Sequence, residues 1–527
     1  MGRIHLQPVE AGLFVLLVFA AAYFHHPVEY DNTSSRYYLL SSAVDFGRLD
    51  IEPYKDETID ISVYNEKTFS NKAIGAPLVA APVYWFLRTA TPIRGDAPLS
   101  PRAQYLCRLL TTTIPFALLG VVLFRTAIGI GATPSGAFAA VIAYAFGTIA
   151  WIHASLFSGH QMAANFGFFS FALIRSIRLD PLAGAPNAGV AGWFSAGLLA
   201  GLAALADYTA IAMALILTVY VFARTRSWIF RSAFLLGGGI FAAALLAYNW
   251  HCFGGPLTFS YSKLGYGQFA EGSRQGILGI AFPDPIALMN LLVSPSRGLF
   301  FIMPVLILFF PGYLAWKNRR FGFEGWVVGA MVVSYVLINA GFYGWHGGWT
   351  FGPRYLTPML PFMALPVSLA FDRIWGPALT LLSAAQVGLA QVSMPHAPET
   401  ILNPLRECLL PLFRYGYRAD TLGLHVGMSP ASSWAVFCAA VLAAIWVLRP
   451  SSGNPGINGG LTPEWRTVLA FIPVAIGLCL FLTRSPSAAD VHLHNGRLLG
   501  HAAYVSKSER LARASVREQY LAQSSPS

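Results

Sequence analysis

Residues 105–124 read YLCRLLTTTIPFALLGVVLF and run directly into Arg125. Twenty mostly apolar residues are what one helix needs to cross the ~30 Å hydrocarbon core of a bilayer. The only charge inside the stretch is Arg108, near its start. Comparable runs lie near 8–25, 133–156, 160–174, 190–206, 209–223, 232–250, 298–316, 325–343, 355–371, 375–394, 431–448 and 467–483. The whole chain of 527 residues is 55% hydrophobic and only 11% charged, against roughly 25% charged in soluble domains. So few charges cannot clothe a water-soluble protein of this size. The expected fold is therefore an all-α polytopic membrane protein with about thirteen transmembrane helices. Arg3, the apolar core Ala11–Phe24 and Ala20-Ala21-Ala22 loosely fit a signal peptide, but the weak flanking charge favours an uncleaved first span.

The stretch from Ala73 to Leu87 is apolar too, but short and broken by Pro77 and Pro82. Cytoplasmic connections of membrane proteins are enriched in Lys and Arg. If 73–87 stays on the surface, the inner connections hold Arg125, Arg175, Arg178, Arg224, Arg226, Arg231, Lys317, Arg319, Arg320, Arg373, Arg449 and Arg466. The outer turns near 157–160 and 207–208 hold no Lys or Arg. A crossing at 73–87 would invert every later sign. The net charge of +11 is thus read as inner-loop basicity, with no basic–aromatic run to suggest nucleic acid. This orientation puts three long segments outside: 26–104, 251–297 and 395–430. In the first, Ser34 to Val44 reads as a short helix and Leu49 to Phe69 as irregular or extended. Expected localisation is the plasma (inner) membrane, with the active site on the periplasmic or extracellular side. Leu498 to Leu521, in the polar tail 484–527, reads as an amphipathic surface helix.

The chain lacks GxxxxGK[ST], HExxH, GxSxG and CxxC, which argues against an ATP-driven pump or a zinc hydrolase. The five cysteines are scattered, consistent with small buried residues. Polar residues instead gather at the outer helix mouths: Asp31 and Arg36, His153, His160-Gln161, Asp207-Tyr208, Asn249 and His251, Arg297, His346 and Arg354. Ionisable groups at membrane depth cost roughly 2.5–3.5 kcal/mol each, so they mark function. The one-sided pattern predicts a shared polar cavity. Asp31 is the candidate general base toward a hydroxyl or amine; a solvated loop acid or a helix cap is the alternative. Asp45 is the reserve. Lys72, Arg297 and Arg354 are candidates for phosphate oxygens, with snorkelling interfacial cations as the alternative. His153, His160, Gln161, Asp207, Tyr208, His251 and His346 are expected to line the cavity. His153 and His160 read as hydrogen-bonded bundle histidines rather than a metal pair.

Three blocks of the first outer segment carry a family resemblance: Asp31-Asn32-Thr33-Ser34-Ser35-Arg36-Tyr37-Tyr38-Leu39-Leu40, then Val44-Asp45-Phe46-Gly47-Arg48-Leu49-Asp50-Ile51, and Phe69-Ser70-Asn71-Lys72-Ala73-Ile74-Gly75-Ala76-Pro77-Leu78. They resemble the opening loop of GT-C fold membrane glycosyltransferases, most of all bacterial members of the dolichyl-phosphate-mannose-protein mannosyltransferase and aminoarabinose-transferase type. Gly197–Asp207, Ser294–Phe300 and Trp349–Leu356 are similar to later blocks. The resemblance covers residues 1–375 and implies a GT-C-like transmembrane catalytic module there. Residues 376–483 would then be additional transmembrane helices, interrupted by the outer loop 395–430.

The resemblance implies a polyprenyl-phosphate sugar donor, transfer on the outer face, a base early in the first outer loop at Asp31, and donor-phosphate contacts from Arg36 and Lys72. Where the family carries an Asp-Glu pair, this chain has Asp31-Asn32, which argues against a divalent metal; no cofactor and no metal ligand are assigned. A cation expected near residue 207 is an aspartate, leaving Arg297 or Arg354 to complete the phosphate site. The expected activity is an inverting transfer of a hexosyl or pentosyl group to an envelope lipid, glycan or protein. The alternatives are a lipid-linked sugar flippase, which calls for midplane polar groups and an inverted repeat that the sequence does not display, and a non-catalytic assembly protein on the same scaffold.

Overall fold

The computed structural model describes residues 7–26, 31–90, 99–177, 189–265, 267–318, 322–371, 374–399, 401–414 and 418–450. Each expected span before residue 449 coincides with a helix or a broken pair of helices. The first, α1 (Pro8–Ala22), starts on a capping box in which Glu10 accepts from the Gln7 amide at 2.8 Å. Asp31–Asp45 forms α2, Gly75–Ala90 forms α3, and the quoted stretch lies within α4 (Pro101–Gly129). Ser100 Oγ caps α4 by accepting from the Ala103 amide at 3.3 Å. Breaks occur where the backbone demands them. Thr148 is extended between Pro134–Gly147 and Ala150–Ala154, and Pro304, which has no N–H to give, follows the break after Leu299–Ile302.

Among the described residues five helices are long and apolar enough to cross a membrane: Pro101–Gly129, Gly189–Ala206, Trp228–Phe253, Gly322–Gly341 and Pro430–Leu448. Gly159–Ser176 and Trp375–Val392 match the shortest of these in length but are less apolar; the other expected spans are shorter or interrupted, and the thirteenth, 467–483, lies with the tail outside the described residues. Gly189–Ala206 and Trp228–Phe253 pack backbone to backbone. A Cβ on Gly197 would strike the Phe234 carbonyl, and one on Gly237 the Phe194 carbonyl. This is the close approach that small residues permit between helices in lipid. The Pro-broken stretch at 73–87 is helical: α3 buries Ala76, Ala80 and Tyr84 and exposes Leu78, Trp85 and Phe86.

The bundle has two unlike ends. At one, Arg125 at the end of α4 grips Glu10 of α1 through Nε and Nη2 at 2.7 and 2.8 Å. Nearby, Arg175 donates to the Gly129 carbonyl at 2.5 Å and Arg224 to the Ile177 carbonyl at 2.9 Å. At the other end the three long segments are stitched together. Phe24–His25 pairs antiparallel with Asp420–Thr421. Ser62 Oγ donates to the Ser260 carbonyl at 2.8 Å, and Ser260 Oγ to the Asn71 carbonyl at 3.0 Å. Phe351 and Thr350 amides donate to Pro395 and Ala397 carbonyls at 2.8 and 3.0 Å. The polar helix mouths singled out in the sequence open onto this second end.

Candidate functional site

The expected extended segment is a hairpin, Ile61–Tyr64 with Lys67–Ser70, turning at Asn65 and Glu66, both at positive φ as a two-residue hairpin loop requires. Its register sets Ile61 opposite Ser70, so Asp60 falls opposite Asn71, the residue before Lys72. Lys72 Nζ meets Asp60 Oδ1 at 2.9 Å, and Asn71 Nδ2 donates to the same oxygen at 3.3 Å. Burial pulls Lys72 down to about 8; Asp60 resists this, and the charges of Arg354 and Arg36 add to it. Burial by itself would raise Asp60, but the Lys72 ammonium holds it below the usual carboxylate range.

The same hairpin fixes α2. Ser35 Oγ lies 2.7 Å from both the Asp60 carbonyl and Ser70 Oγ, which places the neighbouring Arg36 on the hairpin's polar edge. Arg36 is buried, and its Nη1 donates to the Asn32 carbonyl at 2.5 Å and to Asn32 Oδ1. Asn32 is neutral, so this contact positions the guanidinium without cancelling its charge. Arg36 Nε has no hydrogen-bond partner among the described residues. Gly159 makes room alongside: a Cβ there would stand 3.2 Å from Arg36 Nη2.

Arg354 enters from the turn before Leu360–Ala370. Its Nη2 reaches Tyr355 Oη at 3.3 Å, its guanidinium lies 5.1 Å from the Tyr355 ring centre, and its buried Nε is unpartnered among the described residues. Gly347, at φ +75°, leaves it space, since a Cβ would come within 3.2–3.3 Å of Arg354 Cγ and Nε. Tyr355 also meets the His160 ring edge-on at 5.3 Å. His160 Nδ1 is hydrogen-bonded to Asp207, which accepts in addition from Thr209 N and Oγ1 at 3.0 Å. His153 stands 5.9 Å from His160, centre to centre, and bonds Ser158 through Nδ1 at 3.2 Å; Nε2 of both histidines is buried and unpartnered. Arg36 lies within electrostatic reach of Arg354, Asp60 and Asp207. Among the described side chains three cations thus face two carboxylates, with guanidinium nitrogens left over: a site suited to one further anion.

The other expected residues divide. Arg297 is 1% exposed, and all its nitrogens are engaged: Nε with the His346 carbonyl at 2.6 Å, Nη1 with Ser296 at 2.9 Å, Nη2 with Gly348 at 2.9 Å. His346 accepts from the Gly348 amide at 3.0 Å through Nδ1 and belongs to that loop. Gln161 turns into the bundle, donating to Asn165 Oδ1 at 2.8 Å and Tyr144 Oη at 3.2 Å. Tyr208 packs edge-on against Phe259 and Tyr261. His251 is exposed, because two residues along a helix from buried Asn249 it points the opposite way. Asp45 ends α2, held by Ser41 Oγ at 2.6 Å, Tyr84 Oη at 2.8 Å and Arg88 at 2.9 Å. Asp31 opens α2, and its side chain lies outside the described residues. Among the described residues no three His, Cys, Asp or Glu side chains form a group able to hold a metal.

Sequence reasoning missed Asp60, Tyr261 and Tyr355. Tyr355 sits beside Arg354 in the block already singled out. For Asp60 the signal available was a polar residue immediately before a β-branched, alternating run that returns through Asn-Glu toward Lys72.

No family model matches the chain, and no curated protein matches it. Two solved structures resemble it. ArnT from Cupriavidus metallidurans bound to undecaprenyl phosphate aligns at TM-score 0.46 and 13% identity, over 90% of this chain and 75% of that one. ArnT from the same organism in the apo state aligns at TM-score 0.41 and 14% identity, over 89% and 75%.

Proposed function

We propose that the chain is a membrane glycosyltransferase that moves a hexosyl or pentosyl group from a polyprenyl-phosphate donor to an envelope lipid, glycan or protein on the outer face of the plasma membrane. One observation carries the reading: Arg36, Lys72 and Arg354, from three separate segments, converge at the mouth of an apolar bundle with guanidinium nitrogens unfilled. A lipid-borne phosphate is the anion that reaches such a place, its chain in the bilayer and its head among the cations. The donor class follows the resemblance of the first outer segment.

The chemistry is a single displacement. Asp31 takes the proton of the acceptor hydroxyl or amine, and that atom's lone pair forms the new bond to the anomeric carbon. The bond from that carbon to the phosphate oxygen breaks, and its electron pair leaves with the phosphate. Arg354, Arg36 and Lys72 are aimed where this charge develops. One displacement inverts the anomeric centre. Asn32 in place of a second acid leaves the charge of Arg36 uncompensated at that contact.

Mass spectrometry of envelope lipids, glycans and glycoproteins tests the reading in cells with the gene, without it, and with Asp31→Asn. The expected result is one sugar-modified species that wild type restores and Asp31→Asn does not, with both proteins at equal levels in the membrane. Identical envelopes in all strains, or full restoration by Asp31→Asn, would refute it.

A further inference from the structure

A pocket near the Arg36–Lys72–Arg354 cluster counts none of those cations among its lining residues. It is a small cavity of about 30 Å³ between the start of α2, the start of α4 and the segment around His396, lined by His25, His26, Tyr37, Arg108, Phe157 and His396 among others. Among the described residues no carboxylate lines it. Tyr37 and Phe157 stack at 4.5 Å to form one wall. Arg108, the lone charge of the stretch 105–124, is 3% exposed. Its Nη1 donates to the Phe24 carbonyl at 2.9 Å and the Ser155 carbonyl at 2.5 Å, and it stacks 4.6 Å over Tyr105. These contacts lock the guanidinium in place, while Nε and Nη2 have no hydrogen-bond partner among the described residues; neither does His26 Nε2. The helix carrying Arg108 passes directly into a π-turn, Leu109–Thr113, an irregularity frequent at functional sites.

The chain itself shows what that free edge takes. Arg125, on the same helix, uses Nε and Nη2 together to hold both oxygens of Glu10. Nε and Nη2 form one side of the planar fork, matched to two oxygens of a carboxylate or phosphate. In Arg108 this side is empty, and leaving it so in a buried site costs free energy. We propose that the Arg108 pocket binds a carboxylate- or phosphate-bearing ligand, a second oxyanion separate from the donor phosphate. The pocket stands on its own geometry; only its role beside a donor rests on the glycosyltransferase reading.

Equilibrium binding of radiolabelled inorganic phosphate, and of acetate, to the full chain in zwitterionic nanodiscs tests it. Wild type should bind two oxyanions, Arg108→Gln one, Arg354→Gln one, and the double variant none. Arg108→Lys retains the charge without the fork; it should melt like wild type and weaken the second site about tenfold or more, which keeps the test open should Arg108→Gln fail to assemble. Unchanged binding in Arg108→Gln or Arg108→Lys, or a wild type with the Arg354 site alone, would overturn the proposal. Two sites surviving in Arg354→Gln, with one lost in Arg108→Gln, would sink the donor site and uphold this one.

Discussion

Arg297 and Arg354 stand at the same end of the bundle, close enough for Arg354 to help push Arg297 down to about 10 after burial has done most of that work. In sequence they look alike, each an arginine at a helix mouth. In the fold they differ. Arg297 ties the loop carrying His346 and Gly348 to its own turn, with all three nitrogens on carbonyl oxygens. Arg354 has one long hydrogen bond to Tyr355 and a buried Nε with nothing to donate to. A buried cation with every donor engaged is a clamp. One held in place with donors free is a receptor for an anion brought from outside.

That contrast can be broken or sharpened by experiment. The largest effect is expected away from both arginines: Asp31→Asn removes the base and should lower the transfer rate roughly 10²–10⁴-fold while leaving binding of a polyprenyl phosphate intact. Arg354→Gln should weaken that binding by about 2–5 kcal/mol, the usual loss for a desolvated charge contact, with little change in melting temperature. Arg297→Gln should do the reverse. It leaves buried carbonyls without donors at about 1–3 kcal/mol each, so thermal unfolding shifts down while lipid affinity in the surviving fold is kept. The smallest effect concerns pH. Lys72 is protonated below about 8 and loses its charge above it, so affinity for the phosphate should be steady at lower pH and fall about tenfold per unit above it. Lys72→Arg, which remains charged, should flatten the profile.

The helices were legible because a bilayer leaves no choice. Every apolar run must close its own backbone hydrogen bonds, and helix does so locally. The gathering of Arg36, Lys72, Asp207 and Arg354 at one end was legible for a related reason, since polar groups avoid the middle of a span. Asp60 was not, because its pairing with Lys72 depends on hairpin register, a tertiary fact with no period to betray it. His251 misled because helix mouths were read as rings, whereas a helix buries only one side, and there Asn249 sits, donating to the Pro256 carbonyl at 3.2 Å. Arg297 was visible as a cation, but no sequence shows that His346, Ser296 and Gly348 would supply its acceptors. Arg108 was visible only as the lone charge of its stretch; in the fold it is buried, with Nε and Nη2 unpartnered among the described residues.

The most direct test of the account is binding of a polyprenyl phosphate to the full chain in nanodiscs, measured side by side for wild type, Arg354→Gln and Arg297→Gln. The account predicts that affinity drops at least thirtyfold, about 2 kcal/mol, in Arg354→Gln and stays near wild type in Arg297→Gln. Equal losses in both variants, or a loss in Arg297→Gln alone, would contradict it.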